Sequence, residues 1–306
     1  MSRPLRPVST YSIVARDPDT AQLGVAVQSH WFSVGTVVPW AESGVGAVAT
    51  QALADPAYGP RGLDLMRNGS EADTALARLT MEDPEADVRQ VAFVDASGTA
   101  AVHTGSRCIA EAGHITGDGF TTQANMMAHP TVWGAMARAF TTATGDLAER
   151  LLASLDAAEA EGGDIRGRQS AALLVVSGNP TGNPSRDRLF DLRVEDHPDP
   201  LGELRRLVEL RRAYIDMTAG DDALGGGDVE TALQHYSRAT KRAPHVVEMP
   251  FWQAVSLAAV GRLPEAETIF AEVFEREPVW RELVPRLVDV GLLELDAAAV
   301  DRIFAL

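Results

Sequence analysis

The sequence predicts an α+β fold, two β-sheets sandwiched between helix layers, followed by an all-helical tail. Three observations predict it: short β-runs fill the first fifty residues of 306, strands, helices and strands then alternate, and no strand pattern occurs past residue 199. The reading assigns 9–198 to the sandwich, 199–216 to a connecting helix and 217–306 to a helical domain. A chain of this length favours two domains.

Thr10–Ala15, Leu23–Ser29, Val34–Val38 and Val45–Gln51 read as four short strands, the first opening on a hydroxyl residue. Asp17-Pro18-Asp19-Thr20 turns the first pair and Glu42-Ser43-Gly44 the second. Asp55–Pro60 reads as a loop and Leu63–Met66 as a helical turn or more. Ser70 and Asp73 have the spacing of a capping box for a helix carrying Ala75, Leu76 and Leu79. Val88–Asp95 and Thr99–Thr104 form a hairpin around Ala96-Ser97-Gly98, and the glycine-rich stretch Gly113–Gln123 precedes another short strand-like run.

Two helices follow, one with Val132, Met136 and Phe140 on a face, the other with Leu147, Leu151, Leu152 and Leu155. Gly145 and Asp146 separate them as a C′ glycine and an N-cap aspartate. Gln169–Val176 suits a central strand buried on both faces, and Leu189–Val194 a further strand. Asp199-Pro200 starts a helix whose Leu204, Leu207, Val208 and Leu210 dock it on the first domain.

The tail repeats itself. Gly227, Ala232, Tyr236, Ala239 and Pro244 recur 34 residues later as Gly261, Ala266, Phe270, Val273 and Pro278. That period, with small residues where helices approach and a proline after the second helix, resembles tetratricopeptide repeats.

Composition narrows the function. Acidic residues outnumber basic ones 43 to 27, a net charge of −16 that repels nucleic acid and anionic lipid. No apolar stretch reaches the ~20 residues of a bilayer span, and Met1–Ser9 lacks the apolar core of a secretory signal, so the reading is cytoplasmic. The single cysteine, Cys108, excludes an internal disulfide and a multi-cysteine zinc site and reads as a buried, inert thiol. Glu195-Asp196-His197 alternate faces on an extended chain and read as a solvated linker, not a metal site. Asp164 and Arg166 read as an ion pair holding a loop.

Seven segments carry a more specific likeness. They are Thr10–Asp17, Gly24–Ser29, Gly44–Gln51, Tyr58–Gly62, Gly117–Asn125, Gly167–Leu174 and Asp191–Pro198, all in order. Together they resemble a prokaryotic family known as domain of unknown function 1028, over roughly residues 9 to 212. The resemblance implies the N-terminal nucleophile hydrolase fold, the four-layer αββα sandwich also used by proteasome subunits, and with it amide-bond hydrolysis.

On that reading Thr10 is the nucleophile, its own α-amine the base, and Asn125 an oxyanion donor, the last resting on the resemblance. The residues alone leave Thr10 as either nucleophile or ordinary strand residue, with Ser12, on the same strand face, as helper or substitute. Ser29 and His30 are placed to orient the amine or the substrate; Thr50, Gln51 and Tyr58 either line the same cleft or cap a strand and fill a loop. Nine residues precede Thr10, and removal of Met1 exposes only Ser2, so free-amine catalysis calls for cleavage between Ser9 and Thr10 or a later start site. No metal or organic cofactor is called for. The partners expected are a small-molecule or peptide amide and, through the repeats, a protein; a homo-oligomer stays open. The rival reading is a catalytically inactive hydrolase-fold module that binds a ligand or protein.

Overall fold

The computed structural model describes residues 10–306. The expectations about Met1, Ser2, Ser9 and the Ser9–Thr10 bond lie outside the described residues. Strands β1 Thr10–Arg16, β2 Leu23–Ser29, β3 Pro39–Glu42, β4 Gly46–Ala52, β5 Arg89–Asp95, β6 Ala100–Thr104, β7 Gly113–Gly117, β8 Phe120–Asn125, β9 Ser170–Val176 and β10 Arg188–Val194 form two antiparallel sheets. One has the order β10-β9-β2-β1-β8-β7, the other β3-β4-β5-β6. Among the helices, α1 is Tyr58–Arg67, α2 Ala72–Glu82, α3 Val132–Thr142, α4 Leu147–Ala160, α5 Pro184–Asp187 and α6 Pro200–Gly225.

Strand alternation sorts the core into three apolar layers. Val14, Val25 and Val27 of the six-stranded sheet meet Ala47, Ala49, Ala92 and Val94 of the four-stranded sheet. Ile13, one residue from Val14, faces the other way and packs with Met136, Phe140, Leu147 and Leu151 of α3 and α4. Val48, Val91 and Phe93 face away from the first sheet, onto Leu63 and Met66 of α1 and Leu76 and Leu79 of α2.

The structure corrects several local expectations. Val34–Thr36 is a single 3-10 turn, not a strand; the extended segment begins at Pro39. A side chain on Gly35 would meet the Ala172 Cβ at 2.7 Å, so the turn lies closer to β9 than a β-branched strand permits. Pro39 is tolerated because β3 is an edge strand. Helix α1 begins inside the expected loop. The expected capping box at α2 is not formed: its N-cap residue is Glu71, which makes no side-chain bond, and the Ala72 amide is taken by Asp95 Oδ2 at 2.9 Å. Asp146 does cap α4, accepting from the Glu149 amide at 2.9 Å, while Gly145 lies two residues past the α3 C-cap, Ala143, at φ 103°.

The chain divides into two compact units, the second being Glu209–Leu306, and the division falls inside α6. Leu201, Leu204 and Val208 belong to the core of the first unit, with Leu207 packed against it. Leu210 joins the cluster of Ala213, Met217 and Tyr236 in the second, not the first domain. The second unit continues with α7 Val229–Arg242, α8 Glu248–Ala259, α9 Leu263–Arg276, α10 Leu283–Asp289 and α11 Ala297–Phe304. Gly227 and Gly261 both take left-handed backbone ahead of a helix, at φ 83° and 80°. Ala232, Tyr236 and Ala239 are buried on α7 as Ala266, Phe270 and Val273 are on α9. Gly220 of α6 admits the Tyr236 ring, which lies 2.5 Å from where a Cβ would stand.

Candidate active site

At the start of β1 the space between the sheets turns from apolar to polar. Thr10 and Ser12 share the face of Val14, and across the β1–β8 ladder they oppose Asn125 and Gln123. From the other sheet, Gln51 continues the face of Ala47 and Ala49, and Gln90 that of Ala92 and Val94. All six are buried, none more than 1% exposed.

The side chains of Ser12, Gln51, Gln90, Gln123 and Asn125 form one network around the Thr10 carbonyl. Gln90 Oε1 accepts from Gln51 Nε2 at 2.7 Å and from Asn125 Nδ2 at 3.0 Å. Both of those amides also reach the Thr10 carbonyl oxygen, at 3.3 and 3.5 Å. The Ser12 hydroxyl donates to Gln51 Oε1 at 2.6 Å and accepts from Gln123 Nε2 at 2.7 Å. Gln90 Nε2 donates to the Ala124 carbonyl at 3.0 Å and to Thr104 Oγ1 at 2.9 Å. Thr104 Oγ1 in turn lies 2.8 Å from His114 Nδ1, at the exposed end of the chain of bonds. Burial, helped by the nearby His103, holds the His114 pKa below its ordinary value.

Two features mark this end of the molecule as constrained. Gln51 and Asn125, the two residues that grip the Thr10 carbonyl, are each followed by a non-glycine residue in left-handed backbone, Ala52 at φ 67° and Met126 at φ 60°. Such strain, about 1–3 kcal/mol each, persists where surrounding contacts over-determine the geometry. Ala52, Leu53, Val88, Cys108 and Ile109 then line a cavity of about 100 Å³ that Asn125 also borders. The network's five side chains are one hydroxyl and four carboxamides, with no carboxylate and no imidazole among them. Gln123 Oε1 has no hydrogen-bond partner among the described residues.

The other expected site residues divide. Ser29, fully buried, ends β2 one residue past Gln28, the ladder partner of Tyr11, and shares the inter-sheet face of Val25 and Val27. His30 is exposed, and its backbone amide donates to Asp164 Oδ2 at 3.2 Å. Asp164 forms the expected ion pair with Arg166, at 2.8 Å. Thr50 and Tyr58 are not brought to Thr10. One residue from Gln51, Thr50 points to the opposite face, beside Val48, and donates to the Asp55 carbonyl at 3.0 Å. Tyr58 opens α1 on that same far side and donates to Asp83 Oδ2 at 3.1 Å; burial and the Asp83 charge raise its pKa. Cys108 donates to the Arg89 carbonyl at 3.3 Å, and burial pushes its thiol pKa up, away from nucleophile chemistry. Gln90 and Gln123, central to the network, were not among the residues expected there. Their sequence signal is faint: Gln90 is the lone carboxamide of β5, and Gln123 is one of two on β8.

Comparison with known proteins agrees with the chain's motifs. A family model described as a family of unknown function, DUF1028, matches residues 10–204. The crystal structure of protein SPO2555 from Silicibacter pomeroyi, itself assigned to DUF1028, is similar at a TM-score of 0.59 and 33% identity, covering 66% of this chain and 88% of that one. No curated protein matches. With well over half of its residues inside the matched region, the chain belongs to the family of unknown function DUF1028.

Proposed function

We propose that the first unit is an N-terminal nucleophile amidohydrolase of the four-layer αββα kind, cleaving an amide or related C–N bond in a small molecule or peptide. The observation that carries this reading is the place of Thr10, at the start of β1, opposite Asn125 on β8 and gripped by Gln51 from the other sheet. A hydroxyl nucleophile needs a base within hydrogen-bond reach, and none of Ser12, Gln51, Gln90, Gln123 and Asn125 is one. The α-amine of Thr10 fills that role once the Ser9–Thr10 bond is cut, since a free α-amine with a pKa of about 7.7–8.0 is partly unprotonated near neutrality.

The steps balance simply. The amine takes the Thr10 hydroxyl proton, directly or through one water, as Oγ1 bonds to the substrate carbonyl carbon. The C–N bond then breaks, the departing nitrogen leaves with that proton, and water hydrolyses the remaining Thr10 ester. Asn125 Nδ2, whose bond to the Thr10 carbonyl is long at 3.5 Å, is the donor offered to the oxyanion. Gln51 and Gln90 hold Thr10 and Asn125 in register, and Ser12 fixes Gln51. The order of the layers, α1 and α2, the four-stranded sheet, the six-stranded sheet, then α3 and α4, is the order this reading requires. The second unit is read as tetratricopeptide-like, a surface for a protein partner.

One observation favours the rival reading of an inactive binding module: Thr10 is fully buried. A panel of small amides, lactams and ureido compounds tests both, using wild-type and Thr10→Ala protein. Turnover by the wild type alone supports the hydrolase; tight binding by both without turnover favours the module.

A further inference from the structure

The helical unit holds a cavity of about 360 Å³ bordered by Tyr214, Met217 and Asp221 of α6 and by Glu248, Met249 and Trp252 of α8. We propose that this cavity binds a basic side chain, arginine or lysine, presented by a peptide partner. Tyr214 and Trp252 supply aromatic faces, and Met217 and Met249 polarizable thioether walls; carboxylates complete a pocket suited to an organic cation.

The carboxylates are the deciding feature. Glu248 accepts from the Tyr214 hydroxyl at 2.6 Å and Asp221 from the Tyr236 hydroxyl at 2.8 Å, both neutral donors. Neither carboxylate forms an ion pair among the described residues. Nearby acids are treated differently: Asp216 is matched by Arg238 and Arg242, and Glu209 by Arg212 and Arg242. Arg212, Arg238 and Arg242 are thus committed to other acids, and no ion pair among the described residues joins a cation to either cavity carboxylate. The Glu248 bond, together with burial, pushes the Tyr214 pKa up to about 12. The net charge of −16 adds a long-range field of the right sign for a cationic partner.

The test uses the full chain and the peptide acetyl-Gly-Arg-Gly-amide, titrated calorimetrically beside its neutral citrulline twin. The arginine peptide should bind saturably, the citrulline peptide about tenfold or more weakly, and Glu248→Gln and Trp252→Ala should each weaken arginine-peptide binding several-fold. Asp221→Asn, and a rise in NaCl from ~50 to ~500 mM with its shorter screening length, stand in if Glu248→Gln does not fold. Equal binding of the two peptides, absence of saturable binding, or indifference to the substitutions that fold would overturn the proposal. So would free arginine binding as tightly as the peptide, which would assign the cavity to a small cation.

Discussion

The Ser12 hydroxyl donates to Gln51 Oε1 at 2.6 Å, and this bond ties β1 of one sheet to β4 of the other. Ser12 also accepts from Gln123 Nε2 at 2.7 Å, so its oxygen is engaged by both sheets. Ser12→Ala strands a buried acceptor on Gln51 and a buried donor on Gln123. The expected cost is roughly 1–3 kcal/mol of stability, read from urea unfolding. A loss within error of zero would show that the two sheets are not held through this pair.

Asn125 and Thr50 separate the site from the structure around it. Asn125→Leu is expected to lower kcat by about 10²–10³-fold, the usual effect of losing an oxyanion donor. Thr50→Val, on the far face of β4, should leave turnover unchanged. The measurement is steady-state kinetics on whichever amide the screen identifies. Equal losses in the two variants would remove Asn125 from the proposed chemistry.

Asp17 makes stability fall in acid. Burial pushes its carboxyl pKa up, but the Thr20 amide and hydroxyl, the Asp19 amide and Arg150 outweigh this and leave it below the ordinary range. Protons then bind the unfolded chain more readily than the native one. The stabilisation is complete above the unfolded value of about 3.9 and is lost as pH falls through the lower folded value. Below about pH 4 the urea midpoint of the wild type should drop more steeply than that of Asp17→Asn. Parallel curves would contradict this assignment.

Two glycines of one helix should respond oppositely to alanine. At Gly220 the added Cβ would lie 2.5 Å from the Tyr236 ring, whereas at Gly225 nothing lies within 4 Å. Alanine gains about 0.5–1 kcal/mol of helix preference inside a helix and less at Gly225, the last residue of α6, but overpacking at Gly220 costs about 1–3 kcal/mol. Thermal unfolding should therefore show Gly220→Ala destabilised and Gly225→Ala unchanged or stabilised. Reversal of that order would mean the second unit is not organised around Tyr236.

Much of this architecture was legible in residue order. The 34-residue spacing pairs Tyr236 with Phe270, and both side chains are buried on their helices. The segments Thr10–Asp17 and Gly117–Asn125 stood out in the sequence, and the β1–β8 ladder sets Thr10 opposite Asn125. What was not legible depended on partners far along the chain. Thr50 and Gln51 are adjacent in β4, and only the sheet order and the face turned to the other sheet decide which reaches Thr10. Gln90 reads locally as a polar residue beside Arg89 at the start of a largely apolar strand; its bonds come from Gln51 and Asn125, 39 and 35 residues away. Val34–Val38 has strand composition, but Gly35 must approach Ala172 of β9, and that distant contact imposes a turn.

The most direct test is the mass of the N-terminal peptide in protein that is turning over an amide, read beside a Thr10→Ala control. The account predicts a chain beginning at Thr10, with activity rising as residues 1–9 are lost and absent in the variant. Full activity in a chain still joined through Ser9, or an unimpaired Thr10→Ala protein, would contradict it.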